Sequence, residues 1–138
     1  GAGAGVAAVG SVGALPLRLT AAESAARAVS ALTIGNGAAQ ARSRETGGIR
    51  HLIALLGLAV KAREHWPEGR TWLNSAALEA ASALAALSAG NPENQAEVLN
   101  EGGLEALVWG LKLGEDEGRA VEEAAYALRC LVYPTQEA

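Results

Sequence analysis

Few side chains in this chain of 138 residues are of types that do chemistry, so each can be judged by its kind and its spacing. Gly3-Ala4-Gly5-Val6-Ala7-Ala8 satisfies G-x-G-x-x-A, the loop that cradles a pyrophosphate in dinucleotide-binding enzymes, and Glu23 follows at about the distance of a ribose contact. That chemistry needs a buried strand ahead of the glycines and a second strand ending near the acid. Glu23 instead sits in AAESAARAVSAL, a helix-forming run, so the glycines are expected to mark a helix break rather than a cofactor loop. A dinucleotide-binding enzyme fragment is kept only as a minor alternative. His51 and His65 have no third ligand near them in sequence and read as surface histidines, so no metal is expected. Cys130 lacks an adjacent base and reads as a small packing or groove residue rather than a nucleophile. Glu115, Asp116, Glu117, Glu122 and Glu123 fall in a loop and at the start of a helix, where carboxylates are solvated and stabilise the helix dipole. No catalytic constellation emerges. The expectation is a chain that is not an enzyme, with no cofactor and no small-molecule substrate.

The composition says what kind of scaffold carries these residues. Half of the chain is apolar, Phe is absent, and alanine supplies the largest share of the apolar half, a balance that favours closely packed helices over sheets. The expected class is all-α. The net charge is -4 and the pI about 5.2, with Arg42, Arg44 and Arg50 as the densest basic group, so the stripe needed to displace counterions from nucleic acid is missing. The uncharged run from Gly1 to Leu17 is too short for a membrane span and too rich in glycine for a signal-peptide core. A single cysteine rules out an internal disulfide and fits a reducing compartment, cytoplasmic or nuclear. Met is absent even at position 1, so the sequence is expected to be a piece of a longer protein or a processed one.

Sliding the chain along itself exposes its organisation. Ala25 to Leu56 lies without a gap on Ala80 to Leu111, an offset of 55 residues. Gly35/Gly90, Asn36/Asn91, Gln40/Gln95, Gly47/Gly102 and Gly48/Gly103 are identities. The apolar pairs Ile49/Leu104, Leu52/Leu107, Ile53/Val108 and Leu56/Leu111 match as well. Each unit reads as a short helix opened by an Asn cap, a Gly-Gly break, a middle helix with apolar residues at i, i+3, i+4 and i+7, and a long alanine-rich helix. The long type returns at an offset of 44, where Glu123 to Leu131 repeats Glu79 to Leu87.

GNPENQAEVLNEGGLEALVWGLK followed by EEAAYALRCL resembles one complete unit of the armadillo repeat family, in which Asn-Pro, Gln, the Gly pair and the apolar spacing occur together. The resemblance implies three-helix units of about 40 to 47 residues stacked into a right-handed superhelix. Residues 1–34 would be a partial repeat, 35–88 a repeat with an inserted loop at about 59–72, and 90–132 a second repeat. Laid backward, the register puts Gly5 to Val9 on Gly103 to Leu107. Leu15 to Thr20 would then be a connection in which Pro16 ends a middle helix, and Ala21 to Ile34 a long helix.

The resemblance further implies a concave groove lined by the long helices, where the family commonly presents an aromatic residue and, one turn later, an Asn. The aromatic position falls on Arg27, Ser82 and Tyr126, and the Asn position on Ala31, Ala86 and Cys130. With Glu79 and Glu123 these residues form the expected protein-binding groove. Its partner would be a protein or peptide, with a basic one favoured by the acidic balance. The implied function is a protein–protein interaction scaffold within a larger regulatory or signalling protein; the alternative is a nuclear-import-type peptide receptor, although the Asn ladder of such receptors is replaced here. Trp66 and Trp72 flank the insertion, as a recognition element or as a seal folded back on the repeat, and Trp109 is expected to cover the seam between repeats.

Overall fold

The computed structural model describes residues 2–113 and 118–132, with side chains from residue 17 onwards, and every regular element among them is helical. The order is α1 (Ala2–Thr33), α2 (Gly37–Glu45), α3 (Gly48–Ala62), a 3-10 turn (Pro67–Gly69), α4 (Arg70–Ser88), α5 (Pro92–Asn100), α6 (Gly103–Gly110) with a 3-10 turn at its end (Leu111–Leu113), and α7 (Gly118–Val132). The repeated punctuation sets the boundaries. Asn36 and Asn91 each accept a backbone N–H at 3.0 Å, from Ala39 and Asn94, and so cap α2 and α5. Gly47 and Gly102 both adopt φ +84°, a left-handed turn that only glycine enters at little cost, and each opens a middle helix.

Packing then pairs like with like. α4 lies against α1 and α7, α3 lies against α6, and α2 lies against α5. The core centres on α4, whose Ala76, Ala77, Ala80, Ala81 and Ala83 are buried together with Leu73, Leu84 and Leu87. Alanine in these positions lets neighbouring helices approach closely, and leucines from α3 and α6 fill the spaces between; each fully buried Leu contributes roughly 1.5–3 kcal/mol. The approach is closest at α6. A Cβ on Gly103 would collide with Val98, and one on Gly110 would stand 3.1 Å from the Ala124 Cβ.

Buried polar side chains tie the short helices to the C-terminal end of α4. Gln40 donates to the Ala86 carbonyl at 2.9 Å and accepts from Asn91 Nδ2 at 3.0 Å. Asn94 Nδ2 donates to the carbonyls of Leu87 and Gln40 at 2.8 and 3.1 Å, while Arg44 donates to Asn94 Oδ1 at 2.6 Å. Gln95 Nε2 reaches the Ser88 carbonyl at 3.0 Å. The last carbonyls of a helix have no partner inside it, and these amides supply one. The Gln and Asn identities between the units therefore have a physical reason.

Two expectations need correction. The loop placed at about 59–72 is largely helical: α3 runs on to Ala62, and the 3-10 turn leads into α4 at Arg70, which leaves residues 63–66 as the connection. Leu58, Ala59, Lys61 and Ala62 on one side and Arg70 and Leu73 on the other are good helix formers, and the extra length goes into an added turn on each flanking helix. Second, no connection interrupts Leu15 to Thr20. α1 is continuous through Pro16 and begins at Ala2, so Gly3 and Gly5 lie within a helix and not in a strand-to-helix loop. A proline inside a helix forgoes a hydrogen bond and costs about 3 kcal/mol, but it does not stop the backbone where helix formers flank it on both sides.

Candidate functional site: the groove between the long helices

The long helices α1, α4 and α7 wall an open groove of about 470 Å³. Arg27, Ser30 and Ala31 line it from α1, with Ile34 just past its end; Glu79, Ser82, Ala85 and Ala86 from α4, with Ala89 just past its end; Glu123 and Tyr126 from α7. Like-on-like packing explains why residues distant in sequence meet here. Positions in register on successive helices, such as Arg27, Ser82 and Tyr126, come to the same height on one face.

One wall is polar and organised. Arg27 Nη2 donates to Glu79 Oε2 at 3.1 Å and to Glu23 Oε2 at 3.0 Å, and its Nε also faces Glu79 at 3.3 Å. The hydrogen bond and charge of Glu79 raise the guanidinium above its already high pKa, so its charge is constant. Ser30 and Ser82 hydroxyls meet at 3.4 Å beside this cluster. Glu123 lines the groove without an ion-pair partner among the described residues. Two carboxylates, Glu79 and Glu123, thus line the groove with one guanidinium that Glu23 also holds from outside the lining, which leaves the groove acidic.

The rest of the lining is aromatic and apolar. Tyr126 is half exposed at 51%, and Ile34 is exposed at 71%. The Tyr126 hydroxyl and the Cys130 thiol stand one helical turn apart on α7 and act on each other's ionisation. The Tyr126 phenol is raised first by the charge Cys130 would carry as a thiolate, then by hydrogen bonding to it and by partial burial. Burial raises the Cys130 thiol, with the Tyr126 hydrogen bond and Arg129 pulling the other way. A thiol held protonated in this way is a poor nucleophile.

The structure gathers Arg27, Ala31, Glu79, Ser82, Ala86, Glu123 and Tyr126 around one groove, and leaves Cys130, one turn beyond Tyr126 on α7, outside its lining. Trp66 and Trp72 do not join it. Their rings stack at 5.9 Å between centroids, 5° from parallel, and Trp66 packs against the core beside Gly69, where a Cβ would collide with the indole. They clasp the α3–α4 connection. Trp109 covers the α3–α6 seam, with Lys61 Nζ 4.5 Å above its ring. His51 and His65 are exposed, and the His51 Nδ1–H donates to the Gly47 carbonyl at 2.7 Å. Among the described residues no three His, Cys, Asp or Glu side chains could hold a metal ion, and no helix is long and apolar enough to cross a membrane. Glu115, Asp116 and Glu117 lie outside the described residues, whereas Glu122 is exposed on α7.

Sequence reasoning missed Ser30, Ile34, Ala85 and Ala89 as groove residues, and Glu23 as a partner of Arg27. The offset of 55 already paired Ser30 with Ala85 and Ile34 with Ala89, and Glu23 stands four residues before Arg27, the spacing of a helical ion pair. Comparison with protein-family models, with curated proteins and with solved structures found no match to this chain.

Proposed function

We propose that the chain is a non-catalytic protein-interaction module, an armadillo-type stack that holds a segment of a partner protein in the groove between α1, α4 and α7. The supporting observation is the convergence of register-equivalent side chains from three successive long helices on one open groove. A repeat array serves this role well, because stacking makes a rigid surface whose side chains recur at fixed intervals along a bound segment. The carboxylate of Glu123, in excess over the Arg27–Glu79 pair, favours a segment carrying Lys or Arg, and Tyr126 offers a ring face on which such a cation can rest. The alanines at positions 31 and 86 bring no side-chain amide to the peptide backbone, which weighs against recognition through an Asn ladder. Partner identity then rests on side chains.

Selection from a displayed library of random peptides tests the reading. Sequences enriched in basic residues should emerge, and Tyr126→Ala and Glu123→Gln should each weaken them by about tenfold, the effect of roughly 1.4 kcal/mol. Failure to enrich any sequence, or binding indifferent to both substitutions, would remove the groove as the binding site.

A further inference from the structure

The joint between the two middle helices consists of a stripe and a socket. Ile49, Ile53 and Leu56 on α3 form the stripe, and the socket lies between α4 and α6. Ile53 closes on Gly103 and Leu56 on Gly110, each Cδ1 standing 3.1 and 4.0 Å from where a Cβ would be. One repeat earlier the same socket is open. The counterparts of its walls are Ala22, Ala26 and Val29 of α1 with Gly48, Leu52 and Leu55 of α3, and they line an apolar groove of about 410 Å³.

We infer that the occupant of this socket is the chain's own residues 5–15, folded back at residues 15–18 as a middle-type helix, and that the protein exchanges between this closed form and the continuous α1. Residues 5–15 carry no charge, as an apolar wall requires. The repeat register places them on α6 and directly ahead of a long helix, just as α3 directly precedes α4. Gly5, Gly10, Gly13 and Pro16 make the continuous helix a weak one, so little is lost when it breaks. A second copy fits less well. Its α6 is attached to α7, and in the covered joint the long helix attached to the inserted helix is itself the socket wall, so α7 would land on α1.

Disulfide trapping in a Cys130→Ser background tests this with Gly13→Cys and Leu55→Cys, the counterparts of Leu56 and Gly110. Mild oxidation should join them within one molecule at least about tenfold faster than the control pair Gly13→Cys and Leu111→Cys, because closure raises their effective concentration. Adding Pro16→Ala, which favours the continuous helix, should slow the reaction. Joining at the control rate, or only between molecules, would overturn the inference. His51, at the rim of the same groove, provides a readout with the socket unaltered. Its carbethoxylation relative to His65 should rise in Pro16→Ala over the natural sequence, and an unchanged ratio would count equally against closure.

Discussion

Ile49, Ile53 and Leu56 on α3 and Leu104, Val108 and Leu111 on α6 and the turn that ends it are one apolar stripe written twice, 55 residues apart. The first is buried, with exposures of 0%, 8% and 1%, and the second is open, at 43%, 41% and 38%. Side-chain type and helical spacing are shared. The neighbour differs: α6 covers the stripe of α3, and no described helix covers the stripe of α6. An apolar stripe is thus only a demand for a partner, and its roughly 25 cal/mol per Å² is realised where water has been removed.

Truncating one leucine in each stripe tests the contrast most strongly. Leu56→Ala should cost about 2–5 kcal/mol, as should Leu84→Ala and Leu107→Ala at equally buried positions. Leu111→Ala should stay within about 1 kcal/mol. Urea unfolding measures both, and equal losses from Leu56 and Leu111 would mean that the two stripes do not differ as their burial says. The elaborated α3–α4 connection of the covered unit provides the next test. Gly69→Ala forces the Trp66 indole away, with an expected loss of about 1–3 kcal/mol and a change in tryptophan fluorescence as the stack opens. Retained fluorescence would show that the clasp is not tight.

The glutamines extend the comparison to polar groups. Gln40 bonds both a carbonyl of α4 and the Asn91 amide, whereas among the described residues its counterpart Gln95 reaches the Ser88 carbonyl alone. Gln40→Ala should therefore cost about 1–3 kcal/mol and Gln95→Ala nearer 1 kcal/mol, by the same unfolding measurement. The smallest effect is chemical. Because burial raises the Cys130 thiol, iodoacetamide should alkylate it more slowly than a free cysteine at about pH 8. The stabilisation tied to the neutral thiol is complete below the unfolded pKa and is lost as pH rises through the raised folded value. Tyr126→Phe removes the hydrogen bond that lowers this pKa and should slow alkylation further.

Much of the fold was legible because its boundaries are local. Asn36 and Asn91 cap within three residues, and Gly47 and Gly102 turn the chain by their own φ. The insertion was not, because comparison with a shorter unit reveals added length without its conformation, and Ala59 and Arg70 turned out to extend helices. In the groove, the register found Arg27, Glu79, Ser82 and Tyr126 but not their pairings. The Arg27–Glu79 ion pair spans 52 residues of sequence and depends on how closely α1 approaches α4.

The helical class, the repeat of 55 residues and the capped starts of the helices can be read from the residues alone, because each rests on residue types and on contacts within a few turns of chain. Packing settles which stripe is covered, that Arg27 reaches Glu79 across from α1 to α4, and that Trp66 stacks on Trp72 instead of reaching a groove. Those outcomes depend on contact between surfaces far apart in sequence. A side chain's own type states what it needs, and the neighbouring helix decides whether it is met.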